Sequence, residues 1–503
     1  MISVLLAFIE LAYVSLYKER VTSSTAFILM ETNTEETKEY LLEYFSVEQL
    51  SWLLLFVIPS YFILRGVIKL VEEMTFLEAL KAIKCDLKML LSNVVVQKIK
   101  RFRAAVNANY FRKILFGLVV LFLGISIYIK DNHHNYFALF QLHSGYNEYL
   151  LEKEKYKANF TGELPAKIKT SLRNETGEDV DETYVLIIGE SSTRRHFGIY
   201  DYYRPTTPKL NQLKNELAIF NDVISPHSHT IPSLGKVLTF GNRENPNEKY
   251  KGSVVQLMKS AGFKTYWISN QVPIGINETM VSMIAQAADY THYTNLGGKK
   301  ELRSLDERVL PFFKKVLKDK STNKKFIIVH LLGTHTNYKN RYPEPYSKFK
   351  GQVKTPFPSE GVFETINEYD NAVLYNDYIV SEIITSVKAV ADKADEKAFA
   401  LYFSDHGEDV YETVQFTGHS ESIGSIPMFE VPFVCWTNSQ SDLKRMQSFS
   451  ARPYMTDDLI FSLADLAGID FDGMDFERSI FNDSFKVRDR IIRGNINYNS
   501  LAK

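Results

Sequence analysis

The sequence predicts an α/β domain with a mostly parallel central sheet, carried behind a helical membrane segment. Three observations predict it. Three almost wholly apolar runs fall within residues 1–131. From residue 183 onward, strand-like apolar runs alternate with helix-like segments, the order of a parallel sheet with crossover helices. Side chains able to hold a metal collect where the strand-like runs end, and sites in such sheets form outside the carboxyl ends of the strands.

The membrane segment comes first. Residues 2–17, 51–68 and 114–130 are the expected spans, each near or somewhat below the roughly 20 residues that cross a bilayer as a helix. Residues 65–113 hold eleven basic side chains, Lys98, Lys100, Arg101 and Arg103 among them, against four acids. The positive-inside rule makes that loop cytoplasmic. The acid-rich stretch 18–50 and everything after about residue 131 are then extracytoplasmic. The first run lacks a basic leading region and a small-residue cleavage site, so it reads as a poor signal peptide. It is short for a span and starts at Met1, and the expectation is a chain that begins inside a longer membrane domain. Residues 132–182 are polar and form a connector, with a surface helix around Tyr146–Lys157.

The third unit is residues 183–503. The runs YVLIIG (184–189), FIIVHLL (326–332) and AFALYFS (398–404) are its strands, and 252–261 and 368–392 its clearest helices. Composition excludes other classes. Apolar residues make up 45% of the 503, too many for a disordered chain. Lys and Arg number 59 against 60 Asp and Glu, a net charge of -1, which excludes a globally basic nucleic-acid binder. The two cysteines, Cys85 and Cys435, cannot build a disulfide framework or a cysteine zinc knuckle. Any metal must use His, Asp, Glu or hydroxyl ligands.

Those ligands stand at strand ends. YVLIIG runs into Glu190-Ser191-Ser192, AFALYFS into Asp405-His406-Gly407-Glu408, and FIIVHLL into Gly333-Thr334-His335. Thr230 lies in SPHSHTIPS (225–233), and His419 follows the Asp-His pair by a short loop. Glu, Asp and His suit a cation such as zinc. Adjacent Asp405 and His406 can both reach one ion because the backbone is leaving the alternating pleat there. A lone Asp-His-Gly is more often a turn; the joint placement at three strand ends carries the signal. His227 and His229 read as residues that shape the turn, and His196 and His292 as surface or structural. Glu408 reads equally as a support for the metal or a solvated acid.

GESSTRRHFGIYDYYRPTTPKL (189–210), SPHSHTIPSLGKVLTF (225–240), HLLGTHTNYKNRYP (330–343), and FSDHGEDVYE with GHSES (403–422) together resemble the phosphoethanolamine transferases of the alkaline-phosphatase/sulfatase superfamily. The likeness covers the whole outer domain in order, and is closest to the cysteine-poor branch that modifies lipopolysaccharide core or related glycolipids. It implies an alkaline-phosphatase/sulfatase-like fold, a zinc site of Glu190, Thr230, Asp405 and His406, and Thr230 as nucleophile. It implies that His335 and His419 line the site, bind the phosphate group or hold a second zinc. ETNTEE (31–36) resembles the outer loop of the family's membrane domain and brings in Thr32 as substrate-lining. A lysine that faces the substrate phosphate in the lipid A branch has no counterpart in SNQVPIG (269–275), where Asn270 or Gln271 replaces it. The family has five membrane helices, so two more are expected upstream. The implied donor is phosphatidylethanolamine, the acceptor a lipopolysaccharide (lipid A or core) or related glycolipid, and the location the bacterial inner membrane with a periplasmic catalytic domain. The rivals are a glycerol-phosphate transferase of the lipoteichoic-acid-synthase type, another phosphodiesterase of the superfamily, and a binding protein on a dead catalytic fold.

Overall fold

The computed structural model describes residues 138–160, 164, 168–170, 181–272, 280–296, 303–394 and 396–501, with Thr25 and Met30. The three apolar runs and Thr32 lie outside the described residues. Among the described residues no helix is long and apolar enough to cross a membrane. The chain divides into two compact units, Met1–Phe27 with Phe45–Glu148, and Ile28–Tyr44 with Tyr149–Lys503. Nearly all the described residues belong to the second.

The second unit is built on a seven-stranded sheet of β1 (Glu182–Gly189), β2 (Leu217–Ile219), β3 (Lys264–Ser269), β4 (Tyr290–Tyr293), β5 (Lys324–His330), β6 (Lys397–Ser404) and β7 (Phe433–Thr437). Their spatial order is β2-β7-β6-β1-β5-β3-β4. β1 pairs parallel with β5 on one side and β6 on the other, and β3 pairs parallel with β5 and β4. β7 alone runs against its neighbours. All eight residues of β1 are buried, as a strand covered on both faces requires, which is why it reads as a continuous apolar run rather than an alternation.

Among the helices are α1 (Ala138–Phe160), α2 (Thr230–Val237), α3 (Val254–Ser260), α4 (Val309–Leu317) and α5 (Glu360–Ala394), of which α3 and α4 pack on β3 and α5 covers the middle of the sheet. α5 buries Tyr369, Ala372, Val373, Ile379, Val380, Ile383, Ile384 and Val387, the three-and-four spacing of one helix face, and packs on β6 and β1. α3 starts at a capping box of Ser253 and Gln256, which satisfies two orphan amides at its N-terminus. The connector's helix is longer than expected. From Tyr149 onward it belongs to the second unit, with Tyr149, Tyr156 and Phe160 buried and Glu152 2.7 Å from Lys249.

Candidate functional site

The register sets the site. Ile188 lies opposite His330 and Gly189 opposite Ser404, so three neighbouring strands end level with one another. β1 passes into Glu190 and Ser191. Ser191 has φ 55, a left-handed conformation that costs a residue with a Cβ about 1–2 kcal/mol. The surroundings hold it there. Its amide donates to Asp405 Oδ1 at 3.1 Å, and its carbonyl accepts from Thr334 Oγ1 and the Tyr369 hydroxyl, both at 2.9 Å. Behind it, Gly333 has φ 54, and a Cβ there would stand 2.7 Å from the Glu190 carbonyl oxygen and 2.8 Å from its amide. Only glycine fits this crossing.

Into the pocket so formed come Glu190, Asp405 and His406, all buried, with ligand atoms within 4.8 Å of one another. His406 Nε2 is 3.2 Å from Glu190 Oε1 and 3.5 Å from Asp405 Oδ2. Its Nδ1 faces the Gly407 carbonyl at 2.8 Å. A carbonyl only accepts, so Nδ1 donates to it and Nε2 is the ring nitrogen turned inward, toward Glu190 and Asp405. Thr230, the first residue of α2, brings its hydroxyl 3.3 Å from both Glu190 oxygens and 3.4 Å from His406 Nε2. The four residues of the sequence-based zinc site therefore meet at one point.

The donor set suits a cation. Asp405 Oδ1 accepts from the His406 amide at 2.7 Å, but the fully buried Oδ2 accepts no hydrogen bond. A buried carboxylate oxygen left so is costly unless an ion completes it. Burial first, and the Glu190 charge next, push the Asp405 carboxyl up. Burial works against the His406 cation, yet the Asp405 and Glu190 carboxylates outweigh it and raise that imidazole. Two buried carboxylates and one inward imidazole nitrogen, which a bound cation would keep unprotonated, with a hydroxyl beside them, are the ligand types of a zinc site.

The flanking histidines take different places. His419 Nδ1 is 2.9 Å from Glu408 Oε2, and its ring centroid is 4.2 Å from that of His406. Glu408 is fully buried and also accepts from the Tyr338 hydroxyl at 2.6 Å. It supports a histidine; it is not a solvated acid. Glu408, His406 and His419 form a second cluster with metal-ligand spacing. His335 is half-buried with an Nδ1 that has no hydrogen-bond partner; burial first, then Arg341, pushes its imidazole down to about 3. His227 contacts Glu421 Oε1 at 2.7 Å and Lys236 Nζ at 2.5 Å, and His229 packs edge-on to His419. Both shape the turn ahead of Thr230.

Asn270 and Gln271 part company. Asn270 is fully buried and donates to Asp306 Oδ1 at 2.9 Å and the Ser304 carbonyl at 3.3 Å. It fastens the loop carrying Asp306 and is not in the pocket. Gln271 reaches Glu190 instead, Nε2 to Oε2 at 3.2 Å. Residues that sequence reasoning did not single out include Tyr369, Ser191 in its supporting role, and Glu421, whose Oε1 ties the Ser228 amide at 3.0 Å to the loop of His419. His196 is buried between Asp370 at 2.6 Å and Glu412 at 3.2 Å, a structural clamp rather than a surface group. His292 lies against Phe312.

Comparison with known proteins shows the family. The sulfatase family profile matches residues 182–469. Phosphoethanolamine transferase EptC of Escherichia coli is 33% identical over 98% of this chain and 83% of its own length. Phosphoethanolamine transferase CptA of Salmonella typhimurium shows the same identity and coverage. Among solved structures, the C-terminal periplasmic domain of EptC from Escherichia coli, in complex with Zn, is 37% identical with a TM-score of 0.62, over 67% of this chain and 97% of that one. The integral membrane lipooligosaccharide phosphoethanolamine transferase A of Neisseria meningitidis matches in fold, with a TM-score of 0.60 at 17% identity over 96% of this chain and 84% of that one.

Proposed function

The chain belongs to the sulfatase family, on its phosphoethanolamine transferase branch, and from that premise we propose that Thr230 carries phosphoethanolamine from phosphatidylethanolamine to a lipopolysaccharide or related glycolipid, lipid A or core. The observation that carries this reading is the Thr230 hydroxyl, set 3.3 Å from both oxygens of Glu190 and 3.4 Å from His406 Nε2, where side chains from the ends of β1 and β6 meet the first residue of α2.

Glu190, Asp405, His406 and the Thr230 hydroxyl are the residues that would hold zinc. When bound, zinc supplies a Lewis acid that lowers the pKa of a coordinated hydroxyl and offsets phosphoryl charge. The protein's own share follows from its geometry. Thr230 oxygen attacks the donor phosphorus in line. A threonine–phosphoethanolamine ester forms, and diacylglycerol leaves with the proton that the hydroxyl gives up. A hydroxyl or phosphate of the acceptor then attacks the ester and restores Thr230, a double displacement with ping-pong kinetics. His419 donates Nδ1–H to Glu408, which leaves its Nε2 a lone pair; burial first, then His406, holds the imidazole well below its ordinary value and neutral. Of the roles the resemblance implies for His419, a lone pair suits a second cation better than a phosphoryl oxygen. His335 lines the same site.

Donor and acceptor are both lipids. Spans at 2–17, 51–68 and 114–130 would hold residues 183–503 against the outer face of the bacterial inner membrane, with 132–182 as connector. The solved Escherichia coli EptC domain is periplasmic, and the same location is proposed for this one. The test is a short incubation of the full chain with labelled phosphatidylethanolamine or labelled phosphatidylglycerol and no acceptor. Phosphoethanolamine mass on the peptide containing SPHSHTIPSLGK supports the reading. Glycerol phosphate there selects the lipoteichoic-acid-synthase type of reaction instead, and no adduct from either donor overturns the nucleophile. Mass spectrometry of lipopolysaccharide from cells with and without the active protein then identifies the acceptor.

A further inference from the structure

We infer that Gln271 is a positioning residue that fixes the orientation of the Glu190 carboxylate toward the metal, and not a contact to the substrate phosphate. The inference rests on the zinc-site reading above and deepens it.

The argument starts from the amide's hydrogens. Gln271 Nε2 lies 3.2 Å from Glu190 Oε2 and 3.0 Å from the Leu331 carbonyl oxygen. Both partners are pure acceptors, so the NH2 end of the amide must face them, and the usual ambiguity between amide nitrogen and oxygen does not arise. An NH2 group has two hydrogens, and both are committed. No donor is left over for a phosphoryl oxygen. The backbone is also set, since the Gln271 amide donates to Ser269 Oγ at 3.0 Å.

The second part of the argument is what Glu190 does with its two oxygens. Oε1 receives the Ser191 hydroxyl at 2.9 Å and lies 3.2 Å from His406 Nε2. Oε2 receives Gln271. The Gln271 bond therefore fixes the carboxylate's rotation about its last torsion, a torsion with broad, roughly two-fold preferences when nothing holds it. Through Leu331, which follows β5, the same amide ties the ends of β3, β5 and β1 to one carboxylate. Outer partners of this kind orient metal ligands, and their loss typically costs about 10–100-fold in metal affinity or activity.

The test uses the full chain and two readouts. Gln271→Met keeps the side chain's length and removes both donors. Gln271→Asn keeps the amide and shortens it by one methylene, so it no longer reaches Glu190. Zinc affinity is measured by competition against a chelator, and transfer kinetics are measured at saturating zinc with phosphatidylethanolamine as the varied substrate. The expected result is zinc binding about 10–100-fold weaker in both variants, with KM for the donor within twofold of wild type once zinc saturates. Unchanged zinc affinity with a raised donor KM would make Gln271 a substrate contact and overturn the inference. Unchanged zinc affinity with unchanged kinetics would overturn it as well. A wild-type chain that binds no zinc would instead sink the metal reading on which it rests, so the two failures are distinguishable. Melting of the zinc-free variants should fall by no more than about 4 °C, because at most two hydrogen bonds of one half-buried side chain are lost.

Discussion

Tyr369→Phe isolates the hydroxyl that supports the turn beneath Glu190. The ring stays, so no cavity opens beyond one oxygen atom. Two bonds are lost. The Tyr369 hydroxyl donates to the Ser191 carbonyl at 2.9 Å and accepts from the Thr193 amide at 3.0 Å. Ser191 keeps its second donor, Thr334 Oγ1, so that loss costs about 1 kcal/mol. The buried Thr193 amide loses its acceptor, which costs about 1–3 kcal/mol. The sum is about 2–4 kcal/mol. At about 2 °C per kcal/mol for a large domain, the transition of the zinc-free chain should fall by about 4–8 °C in scanning calorimetry. Zinc affinity should fall too, because the left-handed Ser191 that aims Glu190 loses one of three supports. A transition within 1 °C of wild type, with zinc affinity intact, would refute the reasoning; the turn would then be held by Asp405 and Thr334 alone.

Other outcomes follow from the same geometry. Asp405→Ala and His406→Ala should each lower zinc occupancy in metal analysis and abolish transfer, and full retention in both would remove the metal assignment. Thr230→Ala should lose both the covalent adduct and turnover, whereas Thr230→Ser keeps a hydroxyl and some activity; an adduct on Ser228 in Thr230→Ala would move the nucleophile two residues. Gly333→Ala sets a Cβ against the Glu190 backbone at positive φ and should destabilise by more than about 1 kcal/mol, read as a lowered melting temperature with lowered zinc affinity; an unaffected variant would mean that this crossing can relax. His196 gives a pH test. Burial opposes its cation, but Asp370 and Glu412 outweigh burial and push it up to about 10, above the unfolded value near 6.5. Its contribution is complete below about pH 6.5 and lost as pH rises toward 10. Wild type should therefore lose more melting temperature between pH 7 and 10 than His196→Gln, and equal slopes would refute the clamp.

The central strands were legible because burial on both faces leaves an unbroken apolar run, as in YVLIIG and AFALYFS. The ligands were legible because chemistry-bearing residues interrupt those runs at their ends. β7 was not singled out. Its sequence FVCWT is as apolar as its neighbours, and only pairing with Leu401 and Ala218 reveals that it runs the other way. Asn270 and Gln271 could not be told apart, since adjacent residues at a strand end turn to opposite faces and the sequence does not give the register. The Asn270 amide still donates to the His330 carbonyl, at 2.9 Å, so the ladder continues through it and its side chain goes to the Asp306 side. Tyr369 was hidden within the apolar stripe of α5, where spacing marks the buried ring and says nothing of where its hydroxyl points. The three apolar runs expected to span a membrane lie outside the described residues.

The bond from the Ser191 amide to Asp405 joins positions 214 apart in the chain, and that separation is a matter of time as well as space. At a synthesis rate of roughly 5–20 residues per second, about 10–40 s pass between the emergence of β1 and that of its neighbour β6. Through that interval one edge of a strand whose eight residues all end up buried is without its partner, although β5 arrives sooner to cover the other. An open apolar edge is a template for wrong pairing, so the nascent chain's most hazardous period ends only when residues 397–404 have been made. Glu190 and Thr230 exist throughout this wait, but Asp405 and His406 arrive with the closing strand. The proposed metal site is thereby complete only once the closing strand has been made, and a chain stalled before residue 405 would lack two of its four ligands.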